Sequence, residues 1–392
     1  MKGAAATAES PLGRGRATTP QEGNTDAIAA VAMAVALLAA LGAVAVFSAS
    51  APLALEAAVP PHFLRHAGAL GLGAGLAWLA SRVPLKLWYR TAPLFWGGAV
   101  LLLLLTALFG HTANGAQRWL VIPGIGVAFQ PAEIAKLATL VAGAAWLSGQ
   151  DGKAALTRHG VLGALALATI PALLCVFQPD LGNAVLLVAL MGLLLFVGGA
   201  PLRILFGPAV AGVAGIALYS FIQPHALRRW VGFLDPWANA NNEGFQLVQS
   251  FVAFGRGGWF GVGLGDGRQK LFYLPEAHTD FVLSVVAEEL GLVGVLFALG
   301  GFAALWIAGL RITLRARRRF PMLLAFGMTS LVTVPAAMNA AVVMGLFPTK
   351  GLTLPFLSYG RTSLLVCCVA VGILIAVARE PAGDAPARRS RR

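Results

Sequence analysis

The chain has 392 residues, of which 58% are hydrophobic and only 11% are charged, and its mean hydropathy is +0.78. Soluble domains carry about 25% charged residues, so this composition excludes a soluble globular protein and indicates a polytopic membrane protein. The net charge of +13 does not by itself indicate nucleic-acid binding, because lysine and arginine collect in the cytoplasmic loops of membrane proteins. The three cysteines lie in apolar runs and predict neither disulfides nor a cysteine metal site.

Ten apolar runs are each long enough to cross a bilayer as a helix, which takes about 20 residues. In chain order they occupy residues 27–48, 64–81, 91–109, 131–148, 160–177, 182–200, 203–222, 281–309, 321–345 and 356–378. The sequence therefore predicts an all-α fold, with a ten-helix membrane domain over residues 26–379. A flexible tail at 1–25 precedes it, and a basic tail at 380–392 follows it.

The basic residues indicate which ends of these helices face the cytoplasm. Of the 29 lysines and arginines, 19 fall on the side of the N-terminus, eight fall on the other side and two lie within spans. Both termini are therefore predicted to be cytoplasmic. Residues 223–280, between the seventh and eighth spans, then form one long external loop, and long ordered loops are usually functional. The glycines that alternate from Gly261 to Gly267 do not match a dinucleotide-binding fingerprint.

Four polar clusters lie near the external ends of the spans, where charged groups persist mainly if they pair or function. The first begins at Arg118 and Trp119 and continues through Gln130 to Glu133 and Lys136. Glu133 and Lys136 are three residues apart on one helix face, so they can bind each other or a shared ligand. Alternatively, Glu133 and Lys136 form an ion pair whose only role is mutual neutralisation. Arg118 is alternatively an anchor at the membrane interface.

The other three clusters add acidic and hydroxyl groups. In the turn at 178–182, Asp180 is either a helix cap or a ligand. The segment 274–281 ends at Asp280, where a carboxylate at a water-filled cavity keeps access to protons and substrate. Its His278 lacks the partners of a zinc site. The segment 348–360, broken by proline and glycine, holds Lys350 and Ser358. Together the clusters predict a pocket that fits an enzyme acting on an anionic amphiphile, and fits a transporter as well.

Six motifs carry a family resemblance. They are FQPAEIAK at 129–136, QPDLG at 178–182, NEGFQLVQS at 242–250, RQKLFYLPEAHTDF at 268–281, AEELG at 287–291 and PTKGLTLPFLSYG at 348–360. Over nearly all of residues 28–379 the sequence resembles the SEDS family (shape, elongation, division and sporulation) of bacterial membrane proteins. The segments YLPEAHTDF and PTKGLTLP are similar to those of the cell-division branch of this family rather than the elongation branch. Arg361 departs from the family pattern, which usually has a second glycine after SYG.

The resemblance implies a peptidoglycan glycosyltransferase that polymerises lipid II into glycan strands during septal cell-wall synthesis. The family's essential aspartate matches Asp280, and its basic partner in the fourth span matches Lys136. Asp280 is then expected to accept the proton of the acceptor hydroxyl. It is also expected to form a charge pair with Lys136, because either charge alone near the membrane core would be costly.

The other candidate residues are expected to bind the substrate. They are Arg118, Trp119, Gln130, Glu133, Lys136, Lys270, His278, Lys350 and Ser358. Four of them, Arg118, Lys136, Lys270 and Lys350, are cations that could stabilise the leaving undecaprenyl pyrophosphate. No protein metal site is predicted, although a divalent cation could bind at the pyrophosphate.

The resemblance also implies partners and a location. The partners are lipid II, a class B penicillin-binding protein, other membrane proteins of the division apparatus and membrane lipids, and no nucleic acid is expected. The location is the bacterial cytoplasmic membrane at the division septum. A lipid II flippase and a division scaffold are the alternative functions. A flippase would need polar residues at every depth, whereas the cytoplasmic ends of the spans are apolar.

Overall fold

The computed structural model describes residues 20–53, 59–113, 116–121, 124, 126, 128–149 and 157–380. Within these ranges the chain forms twelve α-helices: α1 (Pro20–Ser50), α2 (Pro61–Ala80), α3 (Leu85–Phe109), α4 (Pro131–Ser148), α5 (Arg158–Phe177), α6 (Leu181–Val197), α7 (Leu202–Ile222), α8 (Pro224–Leu234), α9 (Phe245–Gly257), α10 (Val282–Arg315), α11 (Arg319–Val343) and α12 (Arg361–Ala378). Residues 1–19 and 381–392 of the predicted tails lie outside the described residues, whereas residues 20–25 belong to α1 and not to a flexible tail.

Ten of these helices, α1 to α7 and α10 to α12, coincide with the ten predicted apolar runs. Seven described helices are long and apolar enough to cross a membrane, namely α1, α3, α5, α7, α10, α11 and α12. The helix α6 is apolar but has 17 residues, and α4 carries the charged Glu133 and Lys136. The helical membrane fold is confirmed, while the count of ten crossings stays a prediction.

The core of the bundle lies around α11 and α12, whose apolar stretches are each 78% buried, whereas that of α7 is 6% buried. Small residues let α12 approach α2 closely. A Cβ added at Gly73 would lie 2.6 Å from Cys368, and one added at Gly372 would lie 2.3 Å from the carbonyl oxygen of Ala77. Gly73 contacts Cys368, and Ala77 contacts Gly372 four residues later in both helices. The helices α2 and α12 therefore run in the same direction, as the second and tenth predicted spans require.

A small antiparallel sheet follows α3 and was not predicted. Its strands are β1 (His111–Ala113), β2 (Ala116–Val121) and β3 (Ala128–Phe129), with β2 in the middle. Leu120 pairs with Phe129, which brings the strand that carries Arg118 and Trp119 next to the start of α4. Strands of two to six residues are too short for alternation to distinguish them from a loop.

The predicted long loop contains two helices, α8 and α9, and a π-helical turn at Gln269–Tyr273. Helix α9 buries Leu247, Val248 and Ala253 against its neighbours. The end of the bundle that carries residues 223–281 is called the loop end below. The candidate residues lie at this end.

Helix α10 is broken at Gly291, which has a φ of 66°. The glycine-rich segment 258–263 of the loop packs into the break. The backbone N–H of Leu292 donates to Gly258 O at 2.9 Å, and the N–H of Val262 donates to Glu288 O at 3.0 Å. A Cβ at Gly261, where φ is 80°, would lie 2.1 Å from Glu289 O. The loop glycines therefore allow the two backbone segments to come into close contact. This contact provides hydrogen-bond partners for backbone groups that the break would leave unpaired.

Candidate active site

Asp280 lies at the loop end, two residues before α10 begins. A tight turn holds it, because Glu276 has a φ of 55° and its carbonyl oxygen accepts from the N–H of Asp280 at 3.1 Å. The side-chain amide of Asn339 in α11 donates to the carbonyl oxygens of Asp280, at 2.8 Å, and Leu352, at 2.5 Å. Asn339 thus joins the Asp280 turn to the segment 344–360 that links α11 and α12.

The carboxylate of Asp280 is half-buried and faces the backbone of that linking segment. A Cβ added at Gly351 would lie 3.0 Å from Asp280 Oδ2, so only glycine leaves this contact open. Burial, with a smaller contribution from the charge of Glu276, raises the pKa of Asp280 to about 7, although Arg229 and Arg118 oppose the rise. A carboxylate with a pKa near neutrality is suited to general acid–base catalysis.

The turn beside Asp280 is held to the linking segment by backbone and ring contacts. The N–H of Tyr359 donates to His278 O at 2.8 Å. The rings of His62, His278 and Tyr359 pack together, with centroids 5.1 to 5.8 Å apart. Burial lowers the pKa of His278. The structure therefore brings His278 next to the Asp280 turn and adds His62 and Tyr359, which the sequence analysis did not select.

The linking segment also determines the local contacts of Ser358 and Arg361. The buried hydroxyl of Ser358 accepts from the N–H of Leu354 at 2.8 Å and so fixes the turn. Arg361 is the first residue of α12 and is half-buried. The close contact of this turn falls on Gly360, where a Cβ would lie 2.9 Å from Thr353. Arg361 is thus accommodated without a second glycine.

Arg118 and Gln130 meet at the turn before α6. The guanidinium of Arg118 donates to the carbonyl oxygens of Gln178, at 3.4 Å, and Pro179. Asp180 caps α6, because its carboxylate accepts from the N–H of Asn183 at 3.3 Å, and it also accepts from Gln130 Nε2 at 3.1 Å. Of the two interpretations of Asp180, the structure therefore shows the helix cap.

Lys136 does not pair with Asp280, so that expectation is wrong. Its amine lies 2.8 Å from Glu133 Oε1, and both side chains are buried. One turn of α4 is enough to bring these two groups together, which is why the pair forms within a single helix. Trp119 is half-buried on β2, beside the start of the same helix.

Lys270 belongs to a separate buried cluster at the break in α10. Its amine lies 2.6 Å from Glu289 Oε1 and donates to Ser48 Oγ at 2.8 Å. Next to it, the carboxylate of Glu288 accepts from Arg256 at 2.7 Å and from the backbone N–H groups of residues 268 and 269 at 3.0 Å. Glu289 therefore neutralises Lys270, and this cluster anchors the segment that leads to Asp280.

Arg229 of α8 is a cation near Asp280 that is not among the site residues predicted from the sequence. Its charge acts on Asp280, and the charges of Arg118 and Asp180 act on Arg229 in turn. Burial and the charge of Arg229 lower the pKa of Lys350, which precedes Gly351. The available signal was the arginine pair at 228–229, but only the orientation of α8 shows which arginine faces the pocket.

The described residues contain no group of three or more His, Cys, Asp and Glu side chains placed to hold a metal ion. The three cysteines are free and buried. At the loop end, the Asp280 carboxylate thus lies near the cations Arg118, Arg229 and Lys350, and the carboxylates of Glu276 and Asp180 are also close enough to act on it. Chemically, this site can accept a proton and bind an anion.

Comparison with known proteins agrees with these features. Residues 29–382 match the FtsW, RodA and SpoVE family model, described as a cell cycle protein. The probable peptidoglycan glycosyltransferase FtsW of Legionella pneumophila is 39% identical over 327 residues, which are 82% of each chain. The protein of the same name from Coxiella burnetii is 40% identical over 350 residues, covering 88% of this chain and 94% of that one.

Two solved structures are also similar. A chain from work on the structural coordination of polymerization and crosslinking by a peptidoglycan synthase complex has a TM-score of 0.75 and 31% identity, covering 90% of this chain and 98% of that chain. The rod shape determining protein RodA of Thermus thermophilus has a TM-score of 0.66 and 29% identity, with 90% and 97% covered. Because the family match spans most of the sequence, the chain belongs to the FtsW, RodA and SpoVE family of multi-pass membrane proteins, which is the SEDS family that its motifs resemble.

Proposed function

We propose that the protein is a peptidoglycan glycosyltransferase that polymerises lipid II into glycan strands during cell division. The relatives that carry the name FtsW are named as probable enzymes of this class. The observation that carries the proposal is the half-buried Asp280, whose pKa is raised to about 7 beside Arg118, Arg229 and Lys350, three cations without an ion pair among the described residues. This combination suits a reaction in which a hydroxyl loses a proton and an anion departs.

In the proposed reaction, Asp280 accepts the proton of the 4-hydroxyl of the acceptor sugar. The hydroxyl oxygen attacks the anomeric carbon of the donor sugar, and the bond from that carbon to the pyrophosphate oxygen breaks. The glycosidic bond forms with inversion, and undecaprenyl pyrophosphate leaves with the electron pair. A second carboxylate as general acid is not required, because the pyrophosphate departs without protonation.

The cations divide into two groups by their partners. Arg118 donates only to backbone carbonyl oxygens, and Lys350 makes no ion pair among the described residues, so both can stabilise the departing anion. Lys136 and Lys270 are each neutralised by a buried glutamate. We assign Lys136 and Lys270 to holding the walls of the site. Trp119, Gln130, Glu133, His278 and Ser358 line or support the same end and remain candidates for contacting the sugar.

The location and partners follow the same proposal. The protein resides in the bacterial cytoplasmic membrane at the division septum, with both termini in the cytoplasm and the loop end outside. It works with a class B penicillin-binding protein and other division proteins of the membrane. The similarity to a chain of a peptidoglycan synthase complex supports this pairing. A divalent cation could accompany the pyrophosphate as part of the substrate.

The test is synthesis from purified components. The full chain, with its penicillin-binding partner and lipid II in detergent or liposomes, is expected to yield long glycan strands that lysozyme digests. The same liposomes report translocation of labelled lipid II. Translocation without any polymer would favour the flippase, and loss of both activities with retained partner binding would favour the scaffold.

A further inference from the structure

We propose that Arg229 of α8 binds the pyrophosphate group of a polyprenyl-linked sugar donor and completes an anion site with Arg118 and Lys350. This inference rests on the proposed function and adds to it a residue and a location for the leaving group.

Contacts on two sides fix the rotation of α8. Trp230 Nε1 donates to Ser220 Oγ of α7 at 3.1 Å, and Arg228 lies 3.7 Å from Glu243. Gly232 packs on the same side as Arg228, since a Cβ there would lie 2.6 Å from the backbone of Glu243. Successive residues of a helix point about 100° apart, so Arg229 is directed between these two contacts.

The apolar face of α8 lies opposite Arg229. Leu227, Val231 and Leu234 point to that face and are 41%, 47% and 76% exposed. A helix with one exposed apolar face and arginines on the other lies in the plane of the membrane interface. Its charged face is then level with the headgroups, which is where the pyrophosphate of a polyprenyl lipid must be.

Arg229, Arg118 and Lys350 form no ion pair among the described residues. Arg229 makes no hydrogen bond or ion pair among the residues that the structure describes, and its charge acts on both Asp280 and Lys350. The remaining nearby carboxylate, Asp180, is already engaged by Asn183 and Gln130. Arg229 is therefore repelled by Arg118 and itself repels Lys350, and a bound multivalent anion would relieve that repulsion.

The chemistry of the side chains selects a pyrophosphate. The planar guanidinium donates two parallel hydrogen bonds to phosphate oxygens, and a lysine ammonium adds a point charge. The two arginines and one lysine are thus better matched to a ligand with two adjacent phosphates than to a ligand with a single carboxylate. Lys136 and Lys270 cannot take the same part, because Glu133 and Glu289 already neutralise them.

The test compares Arg229→Gln with Arg228→Gln, a neighbouring arginine that faces Glu243 instead of the pocket. Binding of farnesyl pyrophosphate, farnesyl monophosphate and inorganic pyrophosphate to the full-length protein in detergent is measured by thermophoresis. Arg229→Gln is expected to weaken farnesyl pyrophosphate binding about 10- to 100-fold, the range for losing hydrogen bonds to a charged group. Arg228→Gln is expected to change it less than about twofold, the size of an exposed charge effect.

Several outcomes would overturn the assignment. Equal losses in the two variants would show a general effect of surface charge, and unchanged binding in Arg229→Gln would remove Arg229 from the site. Inorganic pyrophosphate is expected to bind more weakly than the farnesyl ligand and to lose affinity in the same variant. Tighter binding of the inorganic ligand would exclude a lipid source, and a monophosphate that binds equally well would exclude the pyrophosphate.

Synthesis assays keep this proposal separate from the proposed function. Wild-type polymerisation of lipid II tests the glycosyltransferase alone. If the wild type polymerises and Arg229→Gln is impaired while Arg229→Lys recovers part of the rate, the anion site is supported. If the wild type polymerises and Arg229→Gln matches it at limiting lipid II, the anion site is contradicted while the enzyme assignment stands.

Discussion

The buried pair of Lys136 and Glu133 leads to a stability prediction of defined size. The two side chains are 4% and 8% exposed, and their charged atoms are 2.8 Å apart. Lys136→Met would leave Glu133 as an unpaired buried carboxylate, which costs about 3–5 kcal/mol. With an unfolding entropy of about 2 cal/mol/K per residue, the chain of 392 residues should melt about 4–6 °C lower.

A second substitution decides which carboxylate Lys136 neutralises. Adding Glu133→Gln to Lys136→Met should restore most of the lost stability, because a neutral amide replaces the unpaired charge. Adding Asp280→Asn should restore nothing. The assay is thermal unfolding of the purified proteins in one detergent, followed by tryptophan fluorescence and evaluated as a double-mutant cycle. Rescue by Asp280→Asn and not by Glu133→Gln would refute the pairing described above.

Three further predictions concern the loop end. The polymerisation rate should fall as the pH drops through about 7. Burial raises the pKa of Asp280 to about that value, and only the ionised carboxylate accepts a proton. A rate that stays constant from about pH 5 to 8 would count against Asp280 as the base. Gly257→Ala should destabilise the fold, because the new Cβ would lie 1.8 Å from Ala287 O. Gly255→Ala should stabilise α9 slightly, because the space around Gly255 is open. Melting temperatures that change equally in the two variants would contradict the close contact at Gly257. Asn339→Ala should lower the turnover rate and leave the substrate KM nearly unchanged, because it frees the turn that holds Asp280; steady-state kinetics with unaltered turnover would remove that support.

The bundle could be predicted because apolar length alone decides where a chain can cross a bilayer. The ten apolar runs correspond to ten described helices, and boundaries differ by a few residues. The break in α10 could not be predicted, since the loop segment that packs into it lies about 30 residues earlier in the chain. A glycine in an apolar run does not show whether it bends a helix or packs against one.

The polar clusters could be predicted from the sequence, but the pairing of their charged groups could not. Spacing along α4 already allowed the contact of Glu133 with Lys136, whereas the resemblance favoured Asp280 as the partner of Lys136, and the local contact is the one that forms. Arg229 was overlooked because sequence does not give the rotation of a surface helix that is anchored by tertiary contacts. Those contacts, from Trp230 and Arg228, are visible only in the folded chain.

The most direct test of the central claim is polymerisation of lipid II by the Asp280→Asn variant with its penicillin-binding partner. The amide has nearly the same size but accepts no proton, so the rate should fall about a hundredfold to ten-thousandfold. Expression, melting temperature and partner binding should stay near those of the wild type. Asp266→Asn, an exposed aspartate of the same loop, serves as the matched control and should retain full activity. Near-normal strand synthesis by Asp280→Asn would contradict the assignment of Asp280 as the catalytic base.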